Sequence, residues 1–351
     1  MELFTFIPIK YIVYIFSLFF CLIQIGLKRP ISNIFIGLIL SLIITLLFSF
    51  PPVDLSAWWS DRTIYAWWFL SATEYVLDAK DFMFGVINST IRSISDNYTT
   101  YFFIIASMYT YFYLWSCKNF TNNKGTLTMF LMIISSLFFV SYGFNTIRGG
   151  LAMSMLILAF SFYNKQRIIF IILALCAINI HQSVTLTLVS FLAALLIKKP
   201  KMCFTIWLIS IILSFSMGSY FESLFVDMFD DNRANTYLLV EADKTYYKVG
   251  FRWDFVIYSM IPIIVGYYFI YRKKFTDEMY NILYCTYLLA NTFWILVIRA
   301  NFTDRFAYLS WALMPIILIY PLINGNLYKH QNYAISLVVF LNVAFTFILS
   351  L

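Results

Sequence analysis

The sequence predicts an all-α polytopic membrane protein, and three observations carry that prediction. Hydrophobic residues make up 62% of the 351 and charged residues only 12%, against roughly a quarter charged in soluble domains. Apolar runs close to the length needed to cross a hydrocarbon core, about 20 residues, recur along the whole chain. The short connections between them alternate between strongly basic and mixed or acidic.

Taken in order, the candidate spans lie near 7–27, 31–50, 98–117, 126–144, 147–163, 166–181, 183–198, 203–219, 254–271, 279–298, 306–323 and 332–350. That gives about twelve transmembrane helices in a single integral membrane domain, 1–351. The first run is too long, and lacks the small-residue cleavage site, of a removable signal peptide. One set of connections holds Lys28, Arg29, Lys118, Lys124, Lys165, Arg167, Lys198, Lys199, Lys201, Arg272, Lys273, Lys274 and Lys329 against only Asp277 and Glu278. The positive-inside rule makes that set cytoplasmic. Both chain ends then lie outside, and the formal net charge of +7 reflects topology and gives no reason to expect nucleic acid. The five cysteines show no CxxC spacing, so they read as small core hydrophobes and not as a disulfide framework or zinc site.

Basic residues on the outer side need another reason, which draws attention to Arg62, Arg92, Arg148, Arg233, Arg252, Arg299 and Arg305. Two long outer connections stand out. The loop 51–97 carries Trp58, Trp59, Asp61, Arg62, Trp67 and Trp68, then apolar residues at helical spacing over 82–94 that predict an amphipathic helix resting on lipid. Its tryptophans fit either an interfacial belt or a platform for sugar faces. The loop 220–253 holds Arg233, Tyr246, Tyr247, Arg252 and Trp253; it reads as a solvated loop or, given its length, a binding loop.

The centre of the chain is Asn145-Thr146-Ile147-Arg148-Gly149-Gly150. Arg148 should fall in the first turn of a helix, where free backbone N–H groups bind anions and glycines allow a ligand close to the backbone. The structural alternative is an arginine that snorkels to headgroups beside glycines that let helices pack. His181, at the same outer edge, can exchange a proton near neutral pH, or serve as an ordinary interfacial hydrogen-bonding residue. Arg299 and Arg305 flank a short turn in which Thr303 or Asp304 can cap the following helix.

These pieces resemble the EpsG-type branch of the Wzy polysaccharide polymerases. The resemblance rests on Lys80-Asp81-Phe82, on Asn145-Thr146-Ile147-Arg148 followed about 33 positions later by His181-Gln182-Ser183, on the basic turn Asn164-Lys165-Gln166-Arg167, and on Asp304-Arg305-Phe306. The family's usual glutamine after the arginine is Gly149 here. The resemblance implies a GT-C-like, metal-independent glycosyltransferase without cofactor. It would work at the periplasmic face of the bacterial inner membrane on an undecaprenyl-diphosphate-linked oligosaccharide, among membrane lipids and with a chain-length regulator as partner. On that basis Arg148, Gly149, Gly150, Arg299 and Arg305 are expected at the substrate diphosphate, and His181, with Asp61 as second choice, at the acceptor hydroxyl. Trp58, Trp59, Arg62, Arg233, Tyr246, Tyr247, Arg252 and Trp253 are candidate glycan contacts. The alternatives are a flippase for lipid-linked oligosaccharide, an O-antigen ligase and an acyltransferase; a flippase should carry charge through the membrane depth, whereas here charge gathers at one edge.

Overall fold

The computed structural model of the chain describes residues 2–27, 30–55, 60–71, 81–229, 250–300 and 303–349. Among these, sixteen α-helices form: α1 (Glu2–Leu27), α2 (Ile34–Ser49), α3 (Asp61–Leu70), α4 (Phe82–Ile94), α5 (Tyr98–Thr121), α6 (Thr126–Ile134), α7 (Leu137–Phe144), α8 (Ile147–Phe162), α9 (Arg167–Ile180), α10 (Thr185–Ile197), α11 (Pro200–Phe229), α12 (Trp253–Tyr267), α13 (Glu278–Leu296), α14 (Thr303–Trp311), α15 (Met314–Asn324) and α16 (Gln331–Leu349). Four stretches are long and apolar enough to cross a membrane: Pro200–Gly218, Trp253–Arg272, Thr303–Asn324 and Gln331–Leu349, with α6 and α7 together a fifth. Several shorter apolar helices, including Ile147–Phe162 and Arg167–Ile180, accompany them. The described residues are those of a helical membrane protein, with no strand among them. Two compact units divide it, Met1–Thr185 with Ile319–Leu351, and Leu186–Leu318.

In the first unit α8 packs between α5 and α9. At one end, Asn119 of α5 donates to Ser161 Oγ of α8 at 3.0 Å, and Lys165 Nζ donates to the Asn119 carbonyl at 2.8 Å. At the other end, neighbouring residues of α3 reach both helices: Phe69 stacks on Tyr101 at 4.7 Å, and Trp68 lies 5.1 Å from the Arg148 guanidinium. Helices α5 and α8 therefore run in the same direction, and the chain must return between them.

That return is made by α6 and α7. The single continuous helix expected over 126–144 is in fact two pieces bent by 75°. The break falls at Ser135 and Ser136, whose hydroxyls donate back to the carbonyls of Leu131 and Met132, both at 2.7 Å. Such back-bonding competes with the helical ladder and bends it. Asn342 of α16 completes the break, donating to the Met132 carbonyl at 3.2 Å and to Ser135 Oγ at 2.8 Å.

The loop 51–97 contains α3 as well as the expected amphipathic helix. The latter, α4, does not simply rest its apolar face on lipid. Phe84, Asn88 and Ile91 are buried, and the helix packs on α9, while Phe82 and Ile94 stay exposed. Arg62 is only 1% exposed. Its guanidinium donates to the carbonyls of Phe48 at 2.8 Å, Ser49 at 3.0 Å and Pro51 at 3.1 Å, and lies 3.9 Å from the Phe102 ring centre. The last carbonyls of a helix have no partner within it, and Arg62 supplies one for α2. Arg62, expected among the glycan contacts, is placed by the structure at the end of α2.

In the second unit α11 packs along α13. Asn291 of α13 is the polar hub. It accepts from Trp207 Nε1 at 2.8 Å and donates to Ser259 and Ser310 at 3.2 and 2.9 Å, while Trp311 Nε1 donates to Ser259 at 2.7 Å. Buried polar groups of this kind fix a unique register only when satisfied, and this network ties α11, α12, α13 and α14 together.

Candidate functional site

Three helix ends meet in the first unit: the start of α4, the start of α8 and the end of α9. Each brings one chemically active side chain. Asp81 is the residue before α4, and its carboxylate makes no capping bond to that helix. Instead Oδ2 accepts from Nη1 of Arg148 in a close ion pair. His181 ends α9 in an extended conformation, and its Nδ1 lies 3.7 Å from Asp81 Oδ1. One carboxylate thus faces a guanidinium with one oxygen and an imidazole with the other.

Burial sets the electrostatics. Asp81 is 8% and Arg148 9% exposed, while the His181 side chain keeps 30% of its surface. A buried cation needs a partner, since removing one member of a buried pair costs about 3–5 kcal/mol. Arg148 also sits at the positive end of the α8 dipole, a placement unfavourable by about 0.3–1 kcal/mol that a nearby anion relieves. Trp68 and Phe84 flank the guanidinium at 5.1 and 5.9 Å. Its Nε is buried with no hydrogen-bond partner among the described residues, so this arginine retains donor capacity beyond Asp81. Tyr101, fully buried on α5, lies within electrostatic range of it.

The two glycines after Arg148 divide the functional and structural readings between them. A Cβ on Gly149 would stand 3.3 Å from His181 Cδ2 and 3.9 Å from Nε2. The bare backbone there makes room for the imidazole. A Cβ on Gly150 would instead strike the Tyr142 carbonyl, coming within 2.8 Å of its carbon. Gly150, expected at the diphosphate, therefore serves the packing of α7 on α8.

The other expected residues fall as follows. Asp61 opens α3, half-buried, with Ser60 capping that helix at Thr63 N. In the second unit Arg299 donates to the Ser214 carbonyl at 2.6 Å and lies 5.2 Å from the Phe251 ring centre. Its guanidinium occupies the place where Gly218 lacks a side chain, beside the non-helical Met217 that kinks α11. Arg305, half-buried, lies in the first turn of α14. Thr303 accepts from Trp294 Nε1 at 2.9 Å. Arg252 holds Asp254 with two hydrogen bonds, 2.9 and 2.6 Å, and stacks on Phe255 at 3.6 Å; Trp253 is exposed. Trp58, Trp59, Arg233, Tyr246 and Tyr247 lie outside the described residues.

Asp81 was not among the candidate site residues read from the sequence, although the resemblance included it. The signal available was the need of a buried arginine for an anion; nothing local names which acid supplies it, 67 positions away.

Fold and site together define a helical membrane protein with an Arg–Asp–His cluster assembled from helix ends. A sequence model of the EpsG family matches residues 38–351, and the chain belongs to that family, which marks it as a polysaccharide-polymerase-like membrane protein of the glycosyltransferase kind. No curated protein and no solved structure matches the chain.

Proposed function

We propose that this protein lengthens a bacterial surface polysaccharide, transferring the growing glycan from undecaprenyl diphosphate to a hydroxyl of a new lipid-linked repeat unit at the periplasmic face of the inner membrane. The observation that carries the proposal is the pairing of Arg148 and His181 across one buried carboxylate. In an inverting transfer the bond from the anomeric carbon to the phosphate oxygen breaks as the acceptor oxygen forms the new glycosidic bond. Charge grows on the departing diphosphate, and Arg148, with spare donors and a helix N-terminus behind it, stabilises that charge. The acceptor hydroxyl passes its proton to His181, whose part-exposed ring lies beside the bare backbone of Gly149.

No step in this scheme requires a metal or a cofactor. In the second unit Arg299 and Arg305 are the proposed further anion contacts, and Arg252 with Trp253 the proposed glycan contacts. A GT-C-like arrangement with twelve crossings and a chain-length regulator as partner belong to the same proposal.

The test is complementation of a polymerase-null strain with Arg148→Ala and His181→Ala. General acid–base catalysis contributes about 10²–10⁴-fold, so both variants should lose the long-chain ladder on a gel while single repeat units accumulate. A normal ladder from both would overturn the assignment. Accumulation of long lipid-linked chains in the null strain would instead identify a ligase.

A further inference from the structure

We infer that Tyr101 is a second donor to the substrate: its phenolic hydroxyl, together with Nε–H of Arg148, holds the diphosphate oxygen from which the glycan is transferred. The inference rests on the reading of Arg148 as the diphosphate clamp, and adds to that clamp a residue from a third helix.

Tyr101 lies in the first turn of α5 and is 0% exposed. Its hydroxyl has no hydrogen-bond partner among the described residues, and neither has Nε of Arg148. Folded proteins leave few buried polar atoms unpaired, because each has given up its bonds to water without return. The two donors belong to one place. Phe69 stacks on the Tyr101 ring at 4.7 Å, its neighbour Trp68 lies 5.1 Å from the Arg148 guanidinium, and the Tyr101 hydroxyl is within electrostatic range of that guanidinium. Rings of α3 and α4 line the same place, Tyr65 standing 5.5 Å from Trp68 and 6.2 Å from Phe84. Asp81 is held through Nη1 of Arg148, so Nε is open to a ligand while that ion pair persists.

What two unpaired donors call for is an acceptor, and beside a guanidinium an anionic one. A phosphate oxygen has lone pairs for both hydrogens. Arg148 brings charge; Tyr101 brings a fixed dipole in a dry site, where its bond strengthens as the oxygen gains charge. In the transfer the bond from the anomeric carbon to the phosphate oxygen breaks, and its electron pair stays on that oxygen. Tyr101 keeps its proton throughout, since a phenol ionises near pH 10 and a phosphate near 6.

Tyr113 supplies an internal control. It is equally buried and its hydroxyl also lacks a partner among the described residues. But it stands among the rings of Tyr109, Phe138 and Phe139, about 18 Å further along α5.

The experiment uses the full chain in detergent, with farnesyl diphosphate as the probe and farnesol as the control, and reads affinity by calorimetry alongside melting temperature. Deleting an unpaired buried hydroxyl breaks no bond within the fold, so Tyr101→Phe and Tyr113→Phe should each melt no lower than the wild type. Only Tyr101→Phe should weaken farnesyl diphosphate binding, by about ten- to hundredfold, the share of one hydrogen bond to a charged group. Its affinity for farnesol should not change, and it should shorten the polymer in the complementation assay. Wild-type affinity for farnesyl diphosphate in Tyr101→Phe, beside weakened binding in Arg148→Ala, overturns the inference and leaves the proposed function standing. Wild-type affinity in Arg148→Ala removes the clamp itself, and the two fall together. A lowered melting temperature in Tyr101→Phe would show its hydroxyl to be bonded within the fold, and equal weakening by Tyr113→Phe would assign the effect to the packing of α5; either result overturns the inference.

Discussion

A methyl group at Gly149 would stand 3.3 Å from His181 Cδ2, while one at Gly150 would strike the Tyr142 backbone carbonyl. The two substitutions should therefore separate activity from stability. Gly149→Ala presses a ring that can give by a few tenths of an ångström, so it should lower polymer length with little change in thermal stability. Gly150→Ala meets main chain that cannot move independently, and overpacking of this kind costs about 1–3 kcal/mol. It should appear as a lower melting temperature in detergent. Equal stability losses in both would mean that Gly149 is a packing residue too. The sequence places both glycines beside Arg148 but cannot separate them, because successive residues on a helix face directions about 100° apart and only the neighbours decide. The sequence singles out Arg148 and His181 for a different reason: on the expected sidedness, basic groups read as outer-side have no topological explanation. Asp81 is not singled out, because an ion pair 67 positions apart leaves no local pattern.

Helix ends, more than helix middles, distinguish this chain from a bundle of plain spans. The end of α2 is closed by Arg62, which the sequence presented only as one more outer arginine. Arg62→Met keeps most of the packing against Phe102 and Phe144 but strips the donors from three carbonyls. An unsatisfied buried group costs about 1–3 kcal/mol, so a loss on the order of 3 kcal/mol is expected, read as a lowered melting temperature of the detergent-solubilised protein. Polymer made per folded molecule should be retained; its abolition with unchanged stability would return Arg62 to the glycan. Apolar length showed where α5, α9, α13 and α16 lie to within a few residues, because burial in lipid demands it. It was blind to the break between α6 and α7, since Ser135-Ser136 interrupts a run that remains apolar on both sides. Only the back-bonded hydroxyls and Asn342 explain the 75° turn.

At the scale of the membrane, the lengths of α8 and α9 decide where the chemistry sits. Sixteen and fourteen residues make helices about 24 and 21 Å long, against a hydrocarbon thickness of about 30 Å. On the proposed twelve-crossing topology, with the basic turn at 163–166 at one interface, Arg148 and His181 would fall short of the other by several ångströms. The site is then recessed, where a desolvated arginine binds an anion more strongly than at the surface. That geometry depends on the bent pair α6–α7 being a true crossing. Parallel α5 and α8 require it, because Arg148 shares one end with Tyr101 while Lys165 meets Asn119 at the other. A re-entrant pair would place positions 93 and 164 on the same side of the membrane; a crossing places them on opposite sides. Both Ser93 and Asn164 are exposed, and four of the native cysteines are buried. Ser93→Cys should therefore react with a membrane-impermeant maleimide in intact spheroplasts, and Asn164→Cys only after permeabilisation. Labelling of both from outside would make α6–α7 re-entrant and break the proposed placement of Arg148 and His181 on the periplasmic side.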